Sequence, residues 1–170
     1  MIKKLTDLNL NLTQFEADIL LNKSLTNVSP TNMYEILFDC DNFNKVFNVA
    51  LEEIKNYTSN DLEVYVKNMW GYVQTTKRNE DINLNIDFKN QVSVDSEYSF
   101  IYLVKSLETY VHLDNSDELI EQANLNQGEM LIFKTKDFIK EESTDRSRIA
   151  LVGSMIPISS IVKAYKKSIL

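Results

Sequence analysis

The sequence predicts a mainly β, α+β fold: an antiparallel β core that is closed or sandwiched, with helices before it and one after it. Three observations predict it. From residue 61 onward, short segments of alternating apolar and polar residues recur between polar turns. Ahead of them, Asp41 to Tyr57 sets Phe43, Val46, Phe47, Ala50, Leu51 and Ile54 at helical spacing. The 170 residues are also enough for one domain to bury most of the apolar surface that its unfolded chain exposes.

Taken in order, Leu5 to Leu21 carries two signals. Leu8, Leu10 and Leu12 alternate like an edge strand, whereas Phe15, Ile19 and Leu20 follow a helical spacing. Ser29-Pro30 opens a short turn of helix, because proline has no N–H to waste in a first turn. Asp41 is the expected N-cap of the long helix, since its carboxylate can accept a hydrogen bond from an otherwise unpartnered backbone N–H.

The β half begins with Leu62, Val64, Val66, Trp70 and Tyr72, followed by the polar turn Lys77-Arg78-Asn79-Glu80. Further strands are predicted at Ile82 to Phe88, Tyr98 to Val104, Tyr110 to Leu113, Met130 to Phe133 and Ile149 to Val152, with Gly128 turning the chain before Met130. Trp70, Tyr72, Phe100, Tyr102 and Phe133 read as core, where aromatics supply buried area. The final segment, Ile158 to Leu170, is helical by spacing. The expected organisation is a helical segment over 1–60, a β core over 61–157 and a C-terminal helix over 158–170, all in one domain.

Composition excludes several classes of function. A formal net charge of −7 leaves no broad cationic face for phosphates, so nucleic acid is not expected as a partner. Three glycines, Gly71, Gly128 and Gly153, cannot make a glycine-rich phosphate loop. No stretch approaches the roughly 20 apolar residues of a membrane span, and the N-terminus lacks the features of a secretory signal. A soluble protein made in the cytoplasm is expected, and the lone Cys40 forms no internal disulfide.

The inventory of reactive groups is short. His112 is the only histidine, so a multi-histidine metal site cannot be written from this chain. Cys40 and His112 both read as structural. Adjacent carboxylates such as Asp117-Glu118 and Glu141-Glu142 read as solvated surface, because neighbours in sequence do not share a face. In INLNIDFKN, residues 82–90, the beat of Ile82, Leu84, Ile86 and Phe88 describes a half-buried strand. Its polar positions include Asn85 and Asp87.

Five segments in order carry a resemblance: Met69-Trp-Gly-Tyr-Val-Gln74, Asn85-Ile-Asp87, Tyr98-Ser-Phe-Ile-Tyr-Leu103, Gly128-Glu-Met-Leu-Ile-Phe133 and Arg148-Ile-Ala-Leu151. Over about Asp61 to Met155, their order and spacing resemble the 2-oxoglutarate/Fe(II) oxygenases, and in particular the short oxygenase-like proteins of tailed bacteriophages. The resemblance implies an antiparallel double-stranded β-helix of jelly-roll or cupin type. It maps the family's first metal histidine to Asn85, its carboxylate to Asp87 and its distal histidine to about Ile139 or Lys140. Arg148 falls where a basic residue pairs with the 2-oxoglutarate carboxylate. An Arg opening a strand after the polar turn at Ser143 is, on its own, more often a surface residue.

Only Asp87 of the implied metal positions retains its family type, and an amide oxygen at Asn85 is a weak Fe(II) ligand beside imidazole. The chain is therefore expected to be non-catalytic and without a cofactor, a virion component of the neck, tail or capsid periphery. Its expected partners are other virion proteins and a second copy of itself. The expected contact surfaces are Met1 to Ser29 and the Ile161, Tyr165 and Ile169 face. Two alternatives stand beside this reading. One is a divergent dioxygenase using Fe(II) and 2-oxoglutarate through Asp87, with a Mg²⁺ or Ca²⁺ site joining Asp87 to Asp137 as a remoter variant; the other is a cupin-type binder holding a small carboxylate on Arg148.

Overall fold

Alternating side chains commit a strand to two faces at once, and in this protein both faces of the main sheet are buried. The computed structural model describes residues 1–25, 33–35, 40–59, 65–75, 96–106, 109–115, 119–143 and 147–159. The elements are β1 (Lys3–Leu5), α1 (Leu12–Leu25), β2 (Met33–Glu35), α2 (Asp41–Thr58), β3 (Tyr65–Thr75), β4 (Tyr98–Lys105), β5 (Thr109–Asn115), β6 (Leu119–Leu125), β7 (Met130–Lys134), a 3₁₀ turn (Thr135–Asp137), β8 (Phe138–Ser143) and β9 (Ser147–Pro157). Six strands form one antiparallel sheet in the order β1-β7-β4-β9-β3-β2, and three form a second in the order β6-β5-β8.

The helices cover one face of the six-stranded sheet. Phe15 and Ile19 of α1, with Phe43, Val46, Phe47, Ala50 and Ile54 of α2, pack on Met69, Val73, Phe100, Tyr102, Ile132, Leu151 and Met155. The opposite face packs on the small sheet through Ile101, Leu103, Leu131, Phe133, Ala150 and Val152, which meet Val111, Leu113, Ala123, Leu125 and Phe138. The protein thus has three layers: helices, large sheet, small sheet. Tyr98 to Val104 is buried at every position for this reason, since even and odd residues enter different cores. Burial on the helix side of the sheet pushes the pKa of the Tyr102 phenol up to about 12, because the phenolate would lose hydration.

Local chemistry places the helices. Asn11 caps α1: its Oδ1 accepts the Gln14 backbone N–H at 3.2 Å, and its carbonyl accepts that of Phe15 at 2.9 Å. The segment expected to alternate as an edge strand is irregular over 6–11, and the edge strand is Lys3–Leu5 instead. Backbone at Asp7 and Asn9 turns left-handed, with φ of 59° and 49°, which breaks the extended run. The long helix is confirmed, but its N-cap is Cys40; Asp41 is its first residue. Asn42 and Cys40 both donate to Asp18 of α1, at 2.9 and 3.6 Å, tying the two helices together.

The strand predicted over 62–72 is present from residue 65, with 62–64 outside the described residues, and those predicted near 98–104, 110–113, 130–133 and 149–152 are present, whereas β6 and β8 were not expected. Trp70 and Tyr72 lie on β3, their side chains outside the described part, and Phe100, Tyr102 and Phe133 are core residues as expected. Residues 26–30, 77–80 and 82–88 lie outside the described residues, as does the proposed C-terminal helix beyond Ile158 and Ser159. No described helix is long and apolar enough to cross a membrane.

Candidate functional site

Among the described residues, the layer between the two sheets holds one charged pair, set among apolar side chains and the buried Ser99, Thr109 and Ser154. Along β9, Ala150 and Val152 face the small sheet, and Arg148 shares their face. From β8, Glu141 faces back, in register with Val111 of β5. Arg148 Nη2 and Glu141 Oε1 form an ion pair in which both side chains are 0% exposed. The guanidinium nitrogens and carboxylate oxygens are all shielded from solvent.

Burial raises the pKa of the Glu141 carboxyl, because the charged form loses its hydration, and the Arg148 charge and hydrogen bond offset that rise only in part. Two isolated charges in such a place would each be costly. Together they are tolerable only as a pair.

These positions correct two expectations. Glu141 is not solvated surface: the bulge at Ile139 restores an inward direction two residues later. Arg148 is not a surface residue at the opening of a strand; it is among the largest fully buried side chains. The sequence before it is polar, but β9 has entered the core by Arg148.

Ile139 occupies that bulge on β8, half-buried, between buried Phe138 and exposed Lys140. Its hydrocarbon side chain offers a metal no donor, and Lys140 points away from the inter-sheet layer. Asn85 and Asp87 lie outside the described residues. Asp137, in the 3₁₀ turn, is half-buried and lines an open surface pocket of about 330 Å³ with Tyr57, Asp114, Lys134 and Lys136.

Cys40 and His112 are on opposite sides of the molecule. Cys40 packs among the helices, where burial and then the Asp18 charge raise its thiol pKa, against lowering by backbone N–H groups. His112 alternates with buried Val111 and Leu113, so it lies on the outer face of the small sheet. Both sheets separate the two residues, and no nucleophile–base pair is formed by them.

A metal of the facial-triad type needs two imidazoles and a carboxylate around one point. The described part of the site supplies hydrocarbon at Ile139 and a carboxylate at Glu141 already paired to Arg148. Those residues do not fit Fe(II), and the Arg148 guanidinium is already paired to Glu141. The residue that reading the sequence missed is Glu141. Its position, an acid two residues beyond Ile139, was visible in the sequence, but Glu142 beside it gave the segment the look of surface.

No protein-family model matches the sequence, and neither does any curated protein. Solved structures do. The fold is similar to a prolyl-4-hydroxylase from Pseudomonas putida, with a TM-score of 0.61 at 10% identity over 91% of both chains. It is similar to the viral collagen prolyl hydroxylase of Paramecium Bursaria Chlorella virus-1, with a TM-score of 0.54 at 11% identity over 90% of this chain and 88% of that one. A prolyl hydroxylase from Trichoplax adhaerens, solved with a hypoxia inducible factor peptide, has a TM-score of 0.52 at 8% identity over 93% and 84%. Identities this low establish the fold and nothing finer: it is mainly β and similar to that of these oxygenases.

Proposed function

We propose that this protein is a non-catalytic interaction module, an oxygenase-like double-stranded β-helix whose reaction centre has been rebuilt as core. The observation that carries the reading is the Glu141–Arg148 pair, sealed between the sheets, Arg148 being the residue that the sequence resemblance aligns with the co-substrate cation. With His112 the only histidine and Ile139 at the bulge, the chain cannot assemble two imidazoles around Asp87. No metal-dependent step follows from such a site.

The setting we propose is a virion, where the chain contacts other structural proteins in the neck, tail or capsid periphery. Its support is the sequence resemblance to oxygenase-like proteins of tailed phages, and fold by itself does not dictate it. The N-terminal contact surface is narrower than the sequence suggested, because β1 joins the large sheet and α1 buries Phe15 and Ile19. Leu20 and Leu21, 41% and 58% exposed, remain for a partner. Sedimentation of native material tests the setting: the protein should travel with a particle, and protein recovered only in the free fraction would overturn it.

A further inference from the structure

We propose that Glu141 is a built-in ligand: its carboxylate permanently fills an anion site on Arg148 and so excludes free carboxylates from the layer between the sheets. This rests on the non-catalytic reading above and identifies what occupies the centre in place of a dissociable acid.

The argument is geometric. The Arg148 guanidinium is 0% exposed, on the face of β9 that also carries Ala150, Val152 and the buried Ser154. A buried guanidinium requires an anion, because nothing apolar can replace its hydration. Glu141 supplies that anion from the facing strand, and the bulge at Ile139 directs it inward. Val111, Leu113 and Phe138, all 4% exposed or less, close the remaining space on the small-sheet side. A free acid would therefore have to displace a carboxylate that is covalently part of the wall, at a very high effective concentration. The pair is an intramolecular version of a ligand complex.

The inference makes a specific demand on a truncated side chain. Glu141→Ala deletes a methylene and a carboxylate, and acetate is the free molecule that matches that fragment. In chelator-containing, metal-free buffer, acetate should stabilise Glu141→Ala saturably, raising its Tm by about 4 °C at ten times the dissociation constant. Chloride at equal ionic strength should not. Propionate should act more weakly, since the flanking apolar side chains leave no room for another methylene. Glu141→Gln keeps the site filled and should show no acetate response. Glu141→Ala combined with Arg148→Met should lose the response.

Wild-type protein should gain no stability from acetate or 2-oxoglutarate beyond the effect of chloride. A saturable gain in the wild type would overturn the proposal. So would a Glu141→Ala protein that acetate does not stabilise, or one that is unfolded without acetate and stays unfolded with it. Because iron is absent throughout, these outcomes are separate from those that test the non-catalytic reading: iron-dependent binding of 2-oxoglutarate would remove that reading, while acetate rescue without metal concerns Glu141 alone.

Discussion

Phe100 on β4 lies against Gly153 on β9, its register partner, so closely that a Cβ on Gly153 would overlap the ring at Cε1 and Cζ. The glycine is there to admit the ring, which is 0% exposed at the centre of the helix-side core. Gly153→Ala should destabilise the protein by about 1–3 kcal/mol, the usual range for overpacking a filled core. Denaturant melts check it, and adding Phe100→Leu should recover part of the loss, since the two residues share one space.

The buried ion pair should behave non-additively. Arg148→Met alone leaves Glu141 as an unpaired buried acid and should cost about 3–5 kcal/mol. Replacing both, as Glu141→Leu with Arg148→Met, should return stability to near that of the wild type or above it, because hydrocarbon needs no counter-charge. A double-mutant cycle by urea denaturation measures the coupling. Equal and additive losses would mean that the two side chains do not depend on one another.

Capping sets a smaller effect. Asn11→Ala removes the side-chain acceptor for the Gln14 N–H and should cost about 1 kcal/mol, while Asn11→Ser should cost little. Helix α1 carries Phe15 and Ile19 into the core, so the loss should appear in global stability as well as in helix content.

The acid side of the stability profile should depend on Glu129. Burial favours its neutral form, but the Lys4 ammonium at 2.7 Å and the Asn126 N–H at 2.7 Å together hold its pKa below the ordinary 4.5. A lowered folded pKa means that the unfolded chain binds the proton more readily, so the contribution is full above about pH 4.5 and is lost as pH falls through the folded value. Thermal melts of wild type and Glu129→Gln should differ at neutral pH and converge on acidification.

Much of the fold was legible because its strongest signals were local. The helix Asp41–Thr58 has one apolar face, and the strands β3, β4, β7 and β9 carry dense runs of β-branched and aromatic residues. The small sheet was less legible. In β6 the inward positions end in Glu121, Ala123 and Leu125, two of them weak signals, and in β8 the inward position after the bulge is a glutamate. A charged residue in a core position inverts the pattern that reveals a strand, and its partner Arg148 was disguised in the same way at the start of β9. The site was hidden because its two charges meet only when the inner faces of two different sheets pack together, β8 supplying Glu141 from one and β9 supplying Arg148 from the other.

The proposed function requires that the oxygenase-like fold run no metal chemistry. Anaerobic calorimetric titration of 2-oxoglutarate into the Fe(II)-supplemented wild-type protein tests it most directly. The account predicts no saturable binding and no difference between wild type and Asp87→Ala. Tight, iron-dependent binding abolished by Asp87→Ala would contradict it.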